Sequence, residues 1–152
     1  MKSGNFYMPN LFTMKKTLMM AALLLLWNAG LSLAQTSDYK IVFDLTSSDT
    51  TDHQSVIRWL NGISQSNADA KLEVVLYGQS LGMVTKDKST VAEDVRKLTV
   101  NKNISFKVCE AAMKRQKIDK TQLLPGVETV PDGIYEITLR QGEGWGYIKA
   151  AH

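Results

Sequence analysis

Strand-like and helix-like segments alternate along the chain from residue 39 to residue 149. Apolar and β-branched runs predict five strands, at residues 39–45, 72–77, 104–108, 127–130 and 145–149. The segments between these runs predict helices that begin after Asp52, after Ser89 or Thr90, at Glu110 and at Gly133. Strands that alternate with helices favour a mostly parallel sheet covered on both faces. We therefore expect a single α/β domain over residues 35–152.

The spacing of apolar residues indicates which side chains of two helices face the core. In the first helix, four apolar residues fall at i, i+3, i+4 and i+7: Val56, Trp59, Leu60 and Ile63. In the last helix, Ile134 and Ile137 are expected to point inward, with Leu139 as a further candidate.

Residues 1–34 have the composition of a short extension followed by an export signal. The pair Lys15-Lys16 precedes an unbroken apolar run, Leu18–Trp27, and Ser32-Leu33-Ala34 supplies small residues where a signal peptidase reads. The run is shorter than the ~20 residues that a membrane-spanning helix needs. We expect cleavage before Gln35 and a periplasmic or secreted chain without a membrane segment, with an uncleaved N-terminal anchor as the alternative.

Removing this segment changes the charge of the protein. The whole chain carries a formal charge of +3, but residues 1–34 contain three lysines and no acidic residue. The remaining chain has 15 basic and 15 acidic side chains and is neutral. A neutral domain lacks the electrostatic attraction on which nucleic-acid binding depends, so we do not expect a nucleic-acid partner.

Cys109 is the only cysteine in the 152 residues, so an internal disulfide is excluded. It falls where the strand Ile104–Val108 gives way to a helix, and the first free N–H groups of that helix should favour a thiolate. Lys107 adds to this effect and Glu110 opposes it. Free cysteine is also among the most buried residue types. The residues alone therefore leave a reactive nucleophile and a buried structural side chain equally open.

Three loops are expected to meet near this cysteine, because the carboxyl ends of parallel strands lie together and hold the sites of α/β folds. They are residues 46–52, residues 78–88 and the Cys109 junction. His53 follows the first loop, and it could serve as a base if it came within ~3 Å of the thiol. The simpler interpretation is a surface histidine in the first helical turn.

The hydroxyl-rich loop at residues 46–52 is also placed where many α/β folds hold a phosphate. It lacks glycine, and Asp49 and Asp52 would repel an anion, so we interpret it as a solvated loop with N-cap residues. Flavin or phosphate binding is the alternative. One cysteine and one internal histidine cannot make a metal site unaided. We therefore expect neither a cofactor nor a metal.

Three segments of residues 39–149 carry a resemblance to a known family. The first is Lys40–Leu45, followed by a polar loop and a helix. The second is Val108–Arg115, and the third is Val130–Ile137 with its continuation Gln141–Lys149. Together they resemble the DsrE/DsrF-like family, also described as YchN-like, whose TusD-related members take part in sulfur relays.

The resemblance implies a flavodoxin-like, doubly wound three-layer sandwich that assembles into trimers or hexamers. In relay members the cysteine that matches Cys109 accepts sulfane sulfur as a persulfide and passes it to a partner. We therefore interpret the chain as a sulfur carrier or sulfurtransferase-like protein of the cell envelope, with a sulfur donor or acceptor protein as partner. The alternative is a non-catalytic oligomeric module that binds a small ligand or a protein, with Cys109 buried against the last helix.

Overall fold

Five parallel strands, described within residues 38–150 of a computed structural model, form one sheet in the order β4-β3-β2-β1-β5. The strands are β1 Lys40–Leu45, β2 Lys71–Leu76, β3 Ile104–Cys109, β4 Glu128–Val130 and β5 Gly146–Lys149. The α-helices are α1 Thr50–Ser66, α2 Ala92–Leu98, α3 Glu110–Gln116 and α4 Gly133–Gly142. Two short 3-10 helices, Ser80–Val84 and Lys120–Gln122, complete the elements of this part of the chain. The expected signal segment and His152 lie outside the described residues.

The strand order explains how the helices divide between the two faces. The chain steps outward from β1 through β2 and β3 to β4, and then returns across the sheet to pair β5 with β1. Crossovers between parallel strands are right-handed, so steps in opposite directions place their helices on opposite faces. The buried apolar residues of α1, α2 and α3 accordingly belong to one core cluster, while Ile137 of α4 belongs to another. The predicted three-layer α/β fold is confirmed.

Alternation along the strands builds the two unequal cores. Phe43 of β1, Val74 of β2 and Phe106 of β3 point toward the three-helix side and are fully buried. Val42 and Val75 point toward α4 and pack with Ile137. Because a single helix covers this second face, Ile134 is 62 % exposed and Leu139 is also exposed. The expectation that these two residues face the core is wrong, and only Ile137 of the three is buried.

An ion-pair cluster fixes α4 to the sheet. Arg140 Nε donates to Glu73 Oε1 at 3.0 Å, and Glu73 is only 2 % exposed. The same guanidinium pairs with Glu136 at 2.8 Å and Glu143 at 3.1 Å, and it lies 5.2 Å from the centre of the Trp145 ring. Burial raises the pKa of Glu73, although the hydrogen bond from Arg140 opposes the rise. Arg140 therefore stabilises the charged form of the buried Glu73 carboxyl group.

The predicted starts of α3 and α4 are confirmed, whereas those of α1 and α2 are wrong. Helix α1 begins at Thr50 rather than after Asp52. Asp49 caps α1 by accepting from Thr51 N at 2.8 Å, and Asp132 caps α4 by accepting from Tyr135 N at 2.9 Å. The expected cap of α2 at Ser89 or Thr90 is wrong, because Val91 occupies the N-cap position and offers no side-chain acceptor. Ser89 instead accepts from Val91 N at 3.3 Å, inside the turn that precedes the helix. No helix within residues 38–150 has the length and apolar character to cross a membrane.

Candidate functional site

Cys109 is the last residue of β3 and the N-cap of α3. This places it at the carboxyl edge of the sheet, as the sequence predicts. Its side chain is 4 % exposed and makes no cap hydrogen bond. The thiol is therefore free in the sense of having no disulfide partner, but it is nearly enclosed by the fold.

The start of α4 encloses the cysteine. A Cβ atom placed on Gly133 would lie 3.3 Å from Cys109 Cβ, 3.4 Å from Tyr77 Cβ and 3.2 Å from Val75 Cγ1. Glycine is therefore the residue that lets the first turn of α4 approach the ends of β2 and β3 this closely. It follows that Cys109 and Tyr77 are close neighbours beneath the same helical turn.

The charged neighbours of Cys109 are engaged elsewhere. Glu110 Oε1 accepts from Lys120 Nζ at 2.7 Å and from Thr129 Oγ1 at 2.9 Å, and the Lys120 hydrogen bond is the main cause that lowers the pKa of Glu110. Lys107 forms a salt bridge with Glu128 on the adjacent strand β4. The sequence predicts that Lys107 favours the Cys109 thiolate and that Glu110 disfavours it. In the structure each of these two side chains pairs with an opposite charge instead.

His53 lies in the first turn of α1, but it is not a surface residue as the sequence suggested. It is 3 % exposed, and its Nε2 lies 3.0 Å from the carbonyl oxygen of Ser47. A carbonyl oxygen only accepts, so Nε2 carries the proton in this contact. Strand β2 lies between the ends of β1 and β3, which are therefore ~10 Å apart. Within residues 38–150 no hydrogen bond joins His53 to Cys109, and its imidazole supports the loop after β1.

A polar cluster beside Cys109 was not predicted from the sequence. Asp44 is buried near the end of β1, where Tyr147 Oη donates to it at 2.6 Å and Lys149 Nζ at 2.9 Å. Lys149 Nζ also donates to Thr46 Oγ1 at 3.0 Å and lies 5.7 Å from the centre of the Tyr77 ring. A buried aspartate in an apolar strand needs hydrogen-bond donors or a counter-charge. The presence of Asp44 in the apolar run of β1 therefore predicts a polar partner, although it does not identify Tyr147 and Lys149.

Both tyrosines of the cluster are weak acids. Burial, followed by the Asp44 carboxylate, raises the pKa of Tyr77 to about 12. The hydrogen bond to Asp44 raises the pKa of Tyr147 to about 12. Both phenols are therefore neutral at physiological pH, and Tyr147 donates its proton to Asp44 in a hydrogen bond. The cluster ties β5 to β1 and places Tyr77 between Asp44 and Cys109.

The match to a family model covers nearly all of the described domain. The model of the DsrE/DsrF-like family matches residues 40–150. This chain belongs to the DsrE/DsrF-like family. The match includes Cys109, the Asp44 cluster and the whole sheet, so the features described above lie within the family domain.

Solved structures of the same fold agree with this assignment. A protein of unknown function, MTH1491 from Methanobacterium thermoautotrophicum, is 29 % identical, with a TM-score of 0.69 over 74 % of this chain and 99 % of that one. The ychN protein from E. coli is 12 % identical, with a TM-score of 0.63 over 74 % and 98 %. BT1422 from Bacteroides thetaiotaomicron, a conserved protein of unknown function, is 14 % identical, with a TM-score of 0.62 over 76 % and 98 %. The comparison with curated proteins gave no match.

Proposed function

We propose that this protein carries sulfane sulfur as a persulfide on Cys109. The observation that supports the proposal is the position of the only cysteine, at the carboxyl end of β3 in a chain of the DsrE/DsrF-like family. This family is associated with sulfur relay. The carboxyl edge of a parallel sheet is also where α/β folds place their reacting groups.

The proposed reaction needs no external oxidant or reductant. The Cys109 thiolate attacks the outer sulfur of a donor persulfide, R–S–SH; a new S–S bond forms on Cys109, the donor S–S bond breaks, and the donor leaves as the thiolate R–S⁻. An acceptor thiolate then attacks the outer sulfur of the Cys109 persulfide. It takes that sulfur and releases Cys109 as a thiolate, so the protein returns to its initial state.

Transfer requires access to a sulfur atom that the fold encloses. Cys109 lies beneath the first turn of α4, at Gly133. That turn has two exposed apolar residues on its outer side, Ile134 and Tyr135, and it begins at the Asp132 cap. Displacement of this single turn exposes Cys109 without breaking the sheet. We therefore assign the gating of sulfur transfer to the start of α4.

Loading of the thiol is measured by intact mass. The purified protein is incubated with glutathione persulfide, and we expect the wild type to gain the mass of one sulfur atom. Cys109→Ser and Cys109→Ala should gain nothing, and circular dichroism confirms that at least one of them is folded. The proposal is wrong if the wild type gains no sulfur or if a folded Cys109 variant gains an equal amount.

The burial of Cys109 favours a second candidate function. In this version the protein is a non-catalytic oligomeric module, and Cys109 is a small apolar side chain packed against α4. Titration of the native protein with a chromogenic disulfide separates the two functions. The persulfide carrier is expected to react within minutes near neutral pH, whereas the binding module should react only after denaturant is added.

Cell location and assembly are part of the proposal. We propose an exported protein in the cell envelope, on the basis of residues 1–34, that forms a homotrimer or homohexamer and exchanges sulfur with a donor or acceptor protein. Fractionation of the native host tests export, and the cytoplasmic fraction would hold the protein if the expectation is wrong. Sedimentation velocity tests assembly, and a monomer at micromolar concentration would contradict it.

A further inference from the structure

An open groove lies on the sheet face opposite α4, away from the Cys109 site. Strand β5 extends the sheet beyond β1 as its edge strand, and all of its residues are exposed. The groove has a volume of about 690 Å³, within the ~300–1,000 Å³ usual for small-molecule sites. Phe43 of β1 lines it, and the Trp59 ring stacks on Phe43 with their centres 6.2 Å apart. Ile148 of β5, which pairs with Phe43 on the adjacent strand, also lines the groove.

Three large apolar side chains around this groove are left partly open to solvent. Trp59 is 38 % exposed, although its helical position predicted an inward orientation, and Tyr39 and Ile148 are exposed to a similar degree. All three line the groove. An apolar molecule bound in the groove can therefore cover exposed surface of all three side chains.

Gly62 keeps the helix side of the groove open. It lies in the interior of α1, where glycine is less favourable than alanine. A Cβ atom on Gly62 would meet nothing within 4 Å, so no neighbour in the described chain requires the missing side chain. The absence of a side chain instead leaves space in the groove, which lies against Gly62. An external molecule that approaches the helix backbone would account for this glycine.

The groove also has a defined charge. Arg58 lines it, and its guanidinium donates to a neutral acceptor, Ser55 Oγ, at 3.0 Å. Among the described residues, those that line the groove include no aspartate or glutamate. A carboxylate can therefore pair with the guanidinium in the two-pronged geometry that arginine favours. The combination of aromatic walls and one cation fits a molecule with a flat apolar body and a single anionic head.

We propose that this groove is a binding site for a small aromatic monocarboxylate. The ring lies against the exposed surfaces of Trp59, Tyr39 and Ile148, and the carboxylate pairs with Arg58. The absent side chain of Gly62 makes room for the ring. The site is separate from the cysteine, because the groove is lined neither by Cys109 nor by the residues that pack around it at Gly133.

Isothermal titration calorimetry tests the site with biphenyl-4-carboxylate as the probe. We expect saturable binding with one molecule per chain. The neutral analogue, biphenyl-4-carboxamide, should bind at least tenfold more weakly, because it cannot form the ion pair with Arg58. The proposal fails if the carboxylate gives no saturable heat at millimolar concentration, or if the amide binds equally well.

Variants of the groove separate binding from folding. Arg58→Gln should weaken binding of biphenyl-4-carboxylate at least tenfold, whereas Arg115→Gln, an equal charge change at an exposed position of α3, should leave it unchanged. Gly62→Leu should abolish binding while the thermal midpoint stays equal to that of the wild type or rises, because leucine is the better helix former. Equal affinity in the Gly62 or Arg58 variant would overturn the proposal.

A second copy of the chain or residues 1–34 could occupy the groove instead, and each would give a different experimental result. If sedimentation velocity shows an oligomer that Trp59→Ala converts to monomer, the groove is an interface between copies and the ligand proposal is wrong. If the probe binds the chain that begins at Gln35 but not the chain that retains residues 1–34, that segment occupies the groove, and the proposal is again wrong. Equal binding to both chains, with assembly unaffected by Trp59→Ala, supports the ligand site.

Discussion

Removing Arg140 should destabilise the fold through the carboxylate it leaves behind. Glu73 is 2 % exposed, and the Arg140 guanidinium compensates its charge at 3.0 Å. In Arg140→Met the apolar stem is largely kept, but every donor is lost. Glu73 must then remain buried without its counter-charge or take up a proton.

The expected loss of stability in Arg140→Met follows from the burial of Glu73 and Arg140. Breaking a buried ion pair by removing one partner costs ~3–5 kcal/mol. The Arg140 side chain is 22 % exposed, so water screens part of the pair, and we expect the lower end, about 3 kcal/mol. With a urea m-value of about 2 kcal/mol/M, the unfolding midpoint should fall by about 1.5 M. Glu73→Met/Arg140→Met removes both charges and should recover most of this loss.

The pH dependence of the loss has a definite sign. Burial raises the pKa of Glu73 and Arg140 lowers it, so the variant raises the pKa further. A carboxyl group whose pKa is higher in the folded state binds more protons when folded, and stability then falls as pH rises from the unfolded pKa toward the folded one. The deficit of Arg140→Met relative to wild type should therefore be largest near pH 7 and smaller near pH 5.

Urea unfolding followed by circular dichroism at both pH values measures these differences. Arg115→Met, which alters an exposed arginine of α3, is the matched control and should change stability by less than about 0.5 kcal/mol. The reasoning is refuted if Arg140→Met loses no more stability than this control. It is also refuted if the loss grows as the pH is lowered.

Three further predictions concern backbone strain, a helix cap and the tyrosine cluster, and urea unfolding measures each. Gly126 has φ +82°, and an added Cβ would lie 2.6 Å from Thr99 Cβ, so Gly126→Ala should lose more than ~1 kcal/mol; a neutral result would contradict the geometry. Asp132→Ala removes the α4 cap and should lose ~1 kcal/mol, whereas an unchanged midpoint would show that the cap contributes nothing. The pKa of Tyr77 and of Tyr147 is raised to about 12, so wild-type stability should fall as pH rises from 10 toward 12. Tyr147→Phe should reduce that fall, and an identical pH profile would count against the Asp44 hydrogen bond.

The sheet could be predicted from the sequence because its strands carry strong local signals. Central parallel strands are buried on both faces, so they appear as nearly continuous apolar runs. Strands β1, β2 and β3 therefore begin and end within one residue of the predicted positions. The position of Cys109 follows from the same pattern, since the end of an apolar run and the start of a helix fix the carboxyl edge.

Burial of individual helix residues depends on which elements cover them, and local sequence does not contain that information. Ile134 lies one helical turn before Ile137, but no element in residues 38–150 covers its side of α4 enough to bury it. Leu139, two residues after Ile137, lacks this spacing, so its exposure agrees with the periodicity. His53 is buried with its imidazole hydrogen-bonded to the carbonyl oxygen of Ser47. This contact depends on the conformation of the loop after β1. The exposure of Ile134 and the burial of His53 cannot be read from apolar periodicity.

The Asp44 cluster was missed for a different reason. Its members come from β1, from the end of β2 and from β5, and the bond between Asp44 and Lys149 joins residues 105 positions apart. The pairing of β5 with β1 depends on the return of the chain across the sheet. A long-range contact of this kind has no local signature beyond an aspartate in an apolar strand.

Transfer of sulfur from Cys109 to an acceptor thiol tests the central claim most directly. Protein loaded with isotopically labelled sulfane sulfur is separated from the donor and mixed with an excess of a small thiol, and both products are weighed by mass spectrometry. The account predicts that the label leaves the protein, appears in the acceptor persulfide in equal amount and restores the unloaded mass of the protein. A Cys109 that never acquires the label, or that keeps it in the presence of the acceptor, would contradict the account.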